Sequence, residues 1–163
     1  MYGPSVASLA HMGENRVLAL FSDSSNAEAP YTNASEREIY GTIKETFKYH
    51  PCRIIVAGVA SNIERIQQVL DAAAANDRRV VLTGRDVQKI VKTAIKMKYI
   101  KLPNSDILAT TKDLKELAPE QTVILETGRM GEPLKSLQRM ATSKHRLIHI
   151  HEGDLVFITT TIS

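Results

Sequence analysis

The sequence predicts an α/β fold in which a mostly parallel sheet is flanked by helices on both faces. Five apolar segments of strand length recur, at residues 16–21, 53–59, 79–83, 121–127 and 146–150, with helical periodicity between the first four. Hydrophobicity in "RIIVAGV" and "VILET" is continuous, not alternating, as expected of strands buried on both faces. Helix starts are marked by capping chemistry as well as by periodicity.

The elements follow in order. After the first strand, Ser35 and Glu38 form an S-x-x-E capping box ahead of "IYGTIKETFKYH", and Pro51 ends that helix. Beyond the second strand, Ser61 and Glu64 repeat the device before "RIQQVLDAAAAN". Asp86 is the expected N-cap of "VQKIVKTAIKMKY", where Val87, Ile90, Val91, Ala94 and Ile95 make one apolar stripe. Residues 101–119 are less regular and hold one short helix in "TKDLKEL". The fourth strand runs into "GRMGEP", with Pro133 fitting a first-turn position. Last, "HRLIHI" and "DLVFITTT", joined by "HEG", read as a β-hairpin at one edge of the sheet.

A chain of 163 residues fits one domain, and it shows no internal repeat, low-complexity tract or linker. Its 43% hydrophobic and 24% charged content is that of a globular protein. No apolar run approaches the roughly 18 residues of a membrane span, and residues 1–13 lack the pattern of a secretory signal, so a cytoplasmic setting without a membrane partner is expected. The single cysteine, Cys52, allows no internal disulfide and suits a reducing compartment. It reads as a small buried hydrophobe beside the second strand, with a reactive thiol as the rarer alternative. The formal charge of +3 leans toward a polyanionic partner without requiring one.

In open α/β sheets ligands collect at the carboxyl ends of strands. Four loops sit at such ends: "SDSSNAE", "ASN", "GRD" and "GRMGEP". Helix N-termini at "ASN" and "GRMGEP" offer N–H groups to a phosphate, and Arg65, Arg85, Arg129 and Arg139 supply guanidinium forks. The plainer alternative is that the glycines turn the chain and the arginines are solvated. Neither G-x-G-x-x-G nor G-x-x-x-x-G-K-[ST] is present. His149 and His151 share one face of a strand, without a third ligand at a recognised spacing, and read as solvated. The remaining histidines are isolated, and Asp23 alone is either a turn residue or one ligand of a metal held mostly by other groups.

The segments "LFSDSSNAE", "YTNASER", "VASNIERIQQVLDAA", "RRVVLTGRD", "VILETGRMGEPLKSLQRMA" and "IHEGDLVFITTTIS" occur in the order and approximate spacing of ribonuclease J. The chain resembles the β-CASP domain of that family, bacterial metal-dependent RNA-processing enzymes of the metallo-β-lactamase superfamily. The likeness runs from about Leu9 onward; residues 1–163 are expected to form one Rossmann-like β-CASP domain, with about 1–22 resembling the end of the lactamase part. It implies a zinc-dependent hydrolase, an endonuclease or 5′–3′ exonuclease, with two zinc ions in the longer protein. The family's H-x-H-x-D-H and H-x-S-G-H segments are absent from this chain, so the chain alone is expected to bind no zinc and to be inactive.

Residue by residue, the resemblance puts Asp23 at the aspartate bridging the two zinc ions and Glu36 at the acidic position beside them, which it implies is catalytic. Ser61, Asn62 and Arg65 match the loop lining the RNA channel, and Gly84 and Arg85 match a "GR" pair there, with Asp86 where Ser is usual. Gly128, Arg129, Gly131 and Glu132 match the loop G-S-Q-G-E-P, which helps to hold RNA near its 5′ end, but Arg129 and Met130 replace its Ser and Gln. "GVASN" likewise replaces "TFASN". The expected function is to clamp single-stranded RNA against the lactamase domain of the same longer chain, in a homo- or hetero-oligomer with a paralogous ribonuclease. The departures suit an alternative, a catalytically degraded paralogue whose domain serves protein association.

Overall fold

In the computed structural model the described residues are 6–15, 17–21, 36–84, 86–129 and 131–159, with Val6, Glu36 and Arg37 described in backbone alone. The chain divides into two units, Met1–Ala34 and Ser35–Ser163. Among the described residues of the first lies the helix α1 (Val6–Glu14). Residues 17–21 form no strand, contrary to expectation, and Leu18, Leu20 and Phe21 are exposed. An apolar run does not by itself make a strand, which persists only where a neighbour satisfies its backbone.

The second unit alternates helix and strand. Its elements are α2 (Glu36–Tyr49), β1 (Ile54–Val59), α3 (Ile63–Ala74), β2 (Arg79–Gly84), α4 (Val87–Lys96), β3 (Leu108–Ala109), β4 (Thr122–Gly128), α5 (Glu132–Ala141) and β5 (Leu155–Ile158). All neighbouring strands run parallel, in the order β3-β2-β4-β1-β5. The expected α/β sheet with helices on both faces is therefore present. Central β4 is buried at every position, which is why its sequence is apolar without alternation.

The C-terminal expectation needs correction. β5 does lie at an edge, but it pairs in parallel with β1, and residues 146–150 form no strand, so there is no hairpin. Two features explain the difference. Ile148 turns into the core beside Met140 and Ile124, while the His145 Nδ1 accepts the N–H groups of Leu147 and Ile148 and bends the backbone away from extended pairing. Arg53 then bonds the His149 carbonyl at 2.6 Å and pairs with Asp154, setting β5 beside β1. The irregular 101–119 stretch contributes a two-residue strand, β3, that the sequence did not announce, and a 3₁₀ turn at Asp113–Lys115 within "TKDLKEL".

The sheet divides the core into two layers. Val56, Val80, Leu82, Val123 and Leu125 face α2, α3 and α4, through Ile43, Phe47, Ile66, Leu70 and Val91 among others. Ile55, Ala57 and Ile124 face the other way, where Leu137 and Met140 of α5 and Ile148 cover them. The chain thus steps from β1 to β2 to β3 with its helices on one face. It returns through β4 to β5 with α5 on the opposite face.

Candidate functional site

That winding creates a switch point at the end of β4. β4 lies between β1 and β2, and the chain leaving β4 goes to the opposite face from the chains leaving its neighbours. Such a switch in direction parts the loops at the carboxyl ends of the strands and leaves room for a ligand. The register brings Val59 opposite Gly128 and Gly84 opposite Thr127, so the "ASN", "GRD" and "GRMGEP" loops share one rim. The fourth loop, "SDSSNAE", lies outside the described residues.

Close backbone approach builds the rim. Ala60 N–H donates to the Gly128 carbonyl at 3.0 Å, tying the first loop to the third. A Cβ on Gly84, whose φ is +106°, would stand 1.7 Å from the Thr127 carbonyl oxygen, so only glycine allows β2 and β4 to finish side by side.

Three helices begin at the rim, and their N-termini differ. At α3 the cap is Asn62, not Ser61 as expected, because the Asn62 Oδ1 accepts the Arg65 N–H at 2.9 Å while Ser61 stays exposed. At α4, Asp86 occupies the N-cap position but adopts φ +61° and makes no capping bond through its side chain. At α5 the cap is Gly131, φ +81°, with Pro133 in the first turn as the sequence predicts. Here the anion is internal. Glu132 Oε2 accepts the Arg129 N–H at 2.9 Å, and a Cβ on Gly128 would meet the Glu132 side chain at 2.8 Å.

The predicted residues are only partly brought together. Ser61, Asn62, Gly84, Gly128, Arg129, Gly131 and Glu132 belong to this rim. Arg129 is exposed there, whereas Arg65 is buried within the first turn of α3, at 5% exposure, and does not offer a solvent-facing fork. Arg139 is exposed in the last turn of α5. Asp23, Arg85 and Met130, like Ser35 of the first capping box, lie outside the described residues, as does the side chain of Glu36.

Sequence reading missed the polar pair directly beneath the rim. Glu126 is 4% exposed within β4, and its Oε2 accepts the Thr83 hydroxyl at 2.5 Å. The Thr127 hydroxyl donates in turn to the Thr83 carbonyl. The available signal was a carboxylate set in an otherwise apolar "VILET", a costly placement unless paired.

Among the described residues no group of three or more His, Cys, Asp or Glu side chains is arranged to hold a metal. His149 and His151 do not share a strand face; both lie in the irregular segment before β5. Cys52 is half-buried and packs near Gly153. Two displaced titrations lie away from the rim. Burial lowers the Arg78 pKa against the attraction of Glu120 and Cys52, while its guanidinium bonds the carbonyls of Cys52 and His50. The Thr110 backbone N–H holds the Asp113 carboxyl below its usual range, with Arg79 assisting. A cavity of about 360 Å³ lies at the β3 edge beside α4, floored by Leu82, Val91, Ile95 and Leu108. No helix among the described residues is long and apolar enough to cross a membrane.

Comparison with known proteins agrees with this architecture. Residues 51–162 match the family described as "Ribonuclease J, beta-CASP domain". The chain is similar to Ribonuclease J 2 of Streptococcus pyogenes serotype M3, at 46% identity over 162 residues, covering 99% of this chain and 29% of that protein. It is 38% identical over 156 residues to Ribonuclease J2 of Bacillus subtilis, covering 96% of this chain and 28% of that protein. Ribonuclease J 2 of Staphylococcus epidermidis is 36% identical over 162 residues, again 99% of this chain and 29% of the relative. The chain thus spans less than a third of the length of these relatives.

Proposed function

The chain belongs to the ribonuclease J β-CASP family, and from that premise we propose that its carboxyl rim holds single-stranded RNA by the phosphate backbone. The observation that carries this reading is the change of direction at the end of β4, where exposed Arg129 precedes the N-terminus of α5 on the rim from which α3 and α4 also start. A helix N-terminus attracts anions through its N–H groups and dipole, and a guanidinium adds a fork matched to phosphate oxygens. With five Tyr and three Phe in the chain, backbone electrostatics outweighs base stacking.

In this reading the domain positions RNA for a longer ribonuclease and does no hydrolysis alone. Zinc, when bound by that longer protein, supplies the activated water. The described residues offer no set of ligands for it, and of the metal positions implied by the resemblance only Asp23 falls in this chain. The lactamase part of the same protein, a paralogous subunit and a cytoplasmic setting complete the proposal. The bond from Arg129 N–H to the Glu132 carboxylate favours the second reading, a protein-association domain in a degraded paralogue, because it occupies a loop donor that a phosphate would use.

RNA titration of the full-length protein separates the two. The RNA reading expects a steep loss of affinity between low and moderate salt, and a salt slope reduced by about 0.7 in Arg129→Ala. Since Arg65 is buried, Arg65→Ala acts on rim packing and is compared at matched folding. Binding indifferent to salt, or unchanged by both substitutions, supports the association reading instead.

A further inference from the structure

We propose that RNA leaving the rim continues along the outer face of α5, held by Lys135, Arg139, Lys144 and Arg146 as an extension of the Arg129 contact. This rests on the RNA reading above. Residues 129–146 carry five Lys or Arg against a single carboxylate, a net +4 in a chain whose total is +3. All five cations are exposed, and among the described residues none lies within ion-pairing distance of a carboxylate.

Their placement is continuous. Pro133, Ser136, Leu137 and Met140 form the buried stripe of α5, which turns Lys135 and Arg139, one turn or about 6 Å apart, to the solvent side. The N–H groups of Lys144 and His145 both donate to the Arg139 carbonyl, at 2.8 and 2.9 Å, so the following segment folds back over the end of the helix. That keeps Lys144 and Arg146 close to Arg139 in the chain's path.

Helix electrostatics accounts for only part of this charge. Lys144 complements the negative end of α5, but Lys135 stands in the first turn and Arg129 just before it, where a cation opposes the helix dipole. An external polyanion relieves that opposition.

A second basic strip makes the assignment specific. Lys89, Lys92 and Lys96 line the exposed side of α4, but they are all lysines, Lys92 borders the apolar cavity at β3, and Met97 and Tyr99 are exposed beside them. That chemistry suits a protein contact. The α5 strip contains three arginines, has Gln138, Thr142 and Ser143 between its charges, and begins at the rim itself. A tracked phosphate backbone needs those properties and no base readout.

The test compares long and short poly-uridine strands, the short one filling only the rim, on the full-length protein. K135Q/R139Q is expected to weaken the long strand and lower its salt slope by about 1.4, at 0.7 per lost contact, while sparing the short strand. K144Q/R146Q provides an independent arm with the same expectation, and K89Q/K92Q/K96Q should leave both strands unaffected. If the parent protein binds RNA but both α5 variants keep its slope, or the α4 variant loses as much, the path along α5 is overturned and the rim reading stands. Loss of a protein partner with RNA binding intact likewise overturns the path. If the parent shows no salt-dependent RNA binding, both readings fall.

Discussion

Beneath α2, α3 and α4 the sheet is closed by an apolar layer of eighteen buried residues, while on the α5 side only six form the corresponding layer, among the described residues. Arg65 and Gln68 of α3 are buried polar groups on the thick side, and the thin side has its own. Glu126, Thr83 and Ser136 are buried there, and the exposed surface above them carries the α5 cations. The difference implies a division of labour in which one face supplies most of the stability. The other, with less apolar surface buried, has less to lose when a core side chain is shortened.

Core truncation tests that division most strongly. Phe47→Ala on the thick side is expected to cost about 3–5 kcal/mol, and Met140→Ala on the thin side about 2 kcal/mol, because a thin layer relaxes more readily around the missing volume. Denaturant midpoints with unchanged slope give both values, and a reversed order breaks the comparison. Next comes Thr83→Val, which keeps the volume but removes the hydroxyl that Glu126 accepts. It should cost about 1–3 kcal/mol by thermal unfolding. A neutral result would show that Glu126 draws its stabilisation from elsewhere. The smallest expected effect is that of Asn62→Ala, about 1 kcal/mol for a lost N-cap. Amide exchange in the first turn of α3 should report it, with no change in α5.

Much of the architecture was legible because burial on both faces writes itself plainly in "RIIVAGV" and "VILET". The same rule misled at residues 17–21 and 146–150. An apolar run records that side chains leave water or meet a partner, and carries no information about whether the backbone finds a strand beside it. Ile148 is buried as its sequence suggests, yet in an irregular segment, and nothing local in "HRLIHI" announces that the His145 ring will take the N–H groups of the next turn. Two of the three rim loops, "GRD" and "GRMGEP", were legible through their glycines. The burial of Arg65 was not read, because its charge suggested a solvent-facing fork, although it stands four residues before Val69 and so shares the buried face of α3.

The close finish of β2 and β4 at Gly84 has a consequence for how such a protein can diverge. Because every strand points the same way, the loops after β1, β2 and β4 emerge on one side and can be rewritten without disturbing the layers below. Gly84 marks the limit of that freedom. The positions after it carry side chains at no such cost, whereas a side chain at Gly84 would drive β2 and β4 apart and shift all three loops at once. New binding preferences are therefore expected to arise by replacing loop residues around a fixed glycine hinge point, with the spacing between strands serving as the inherited ruler.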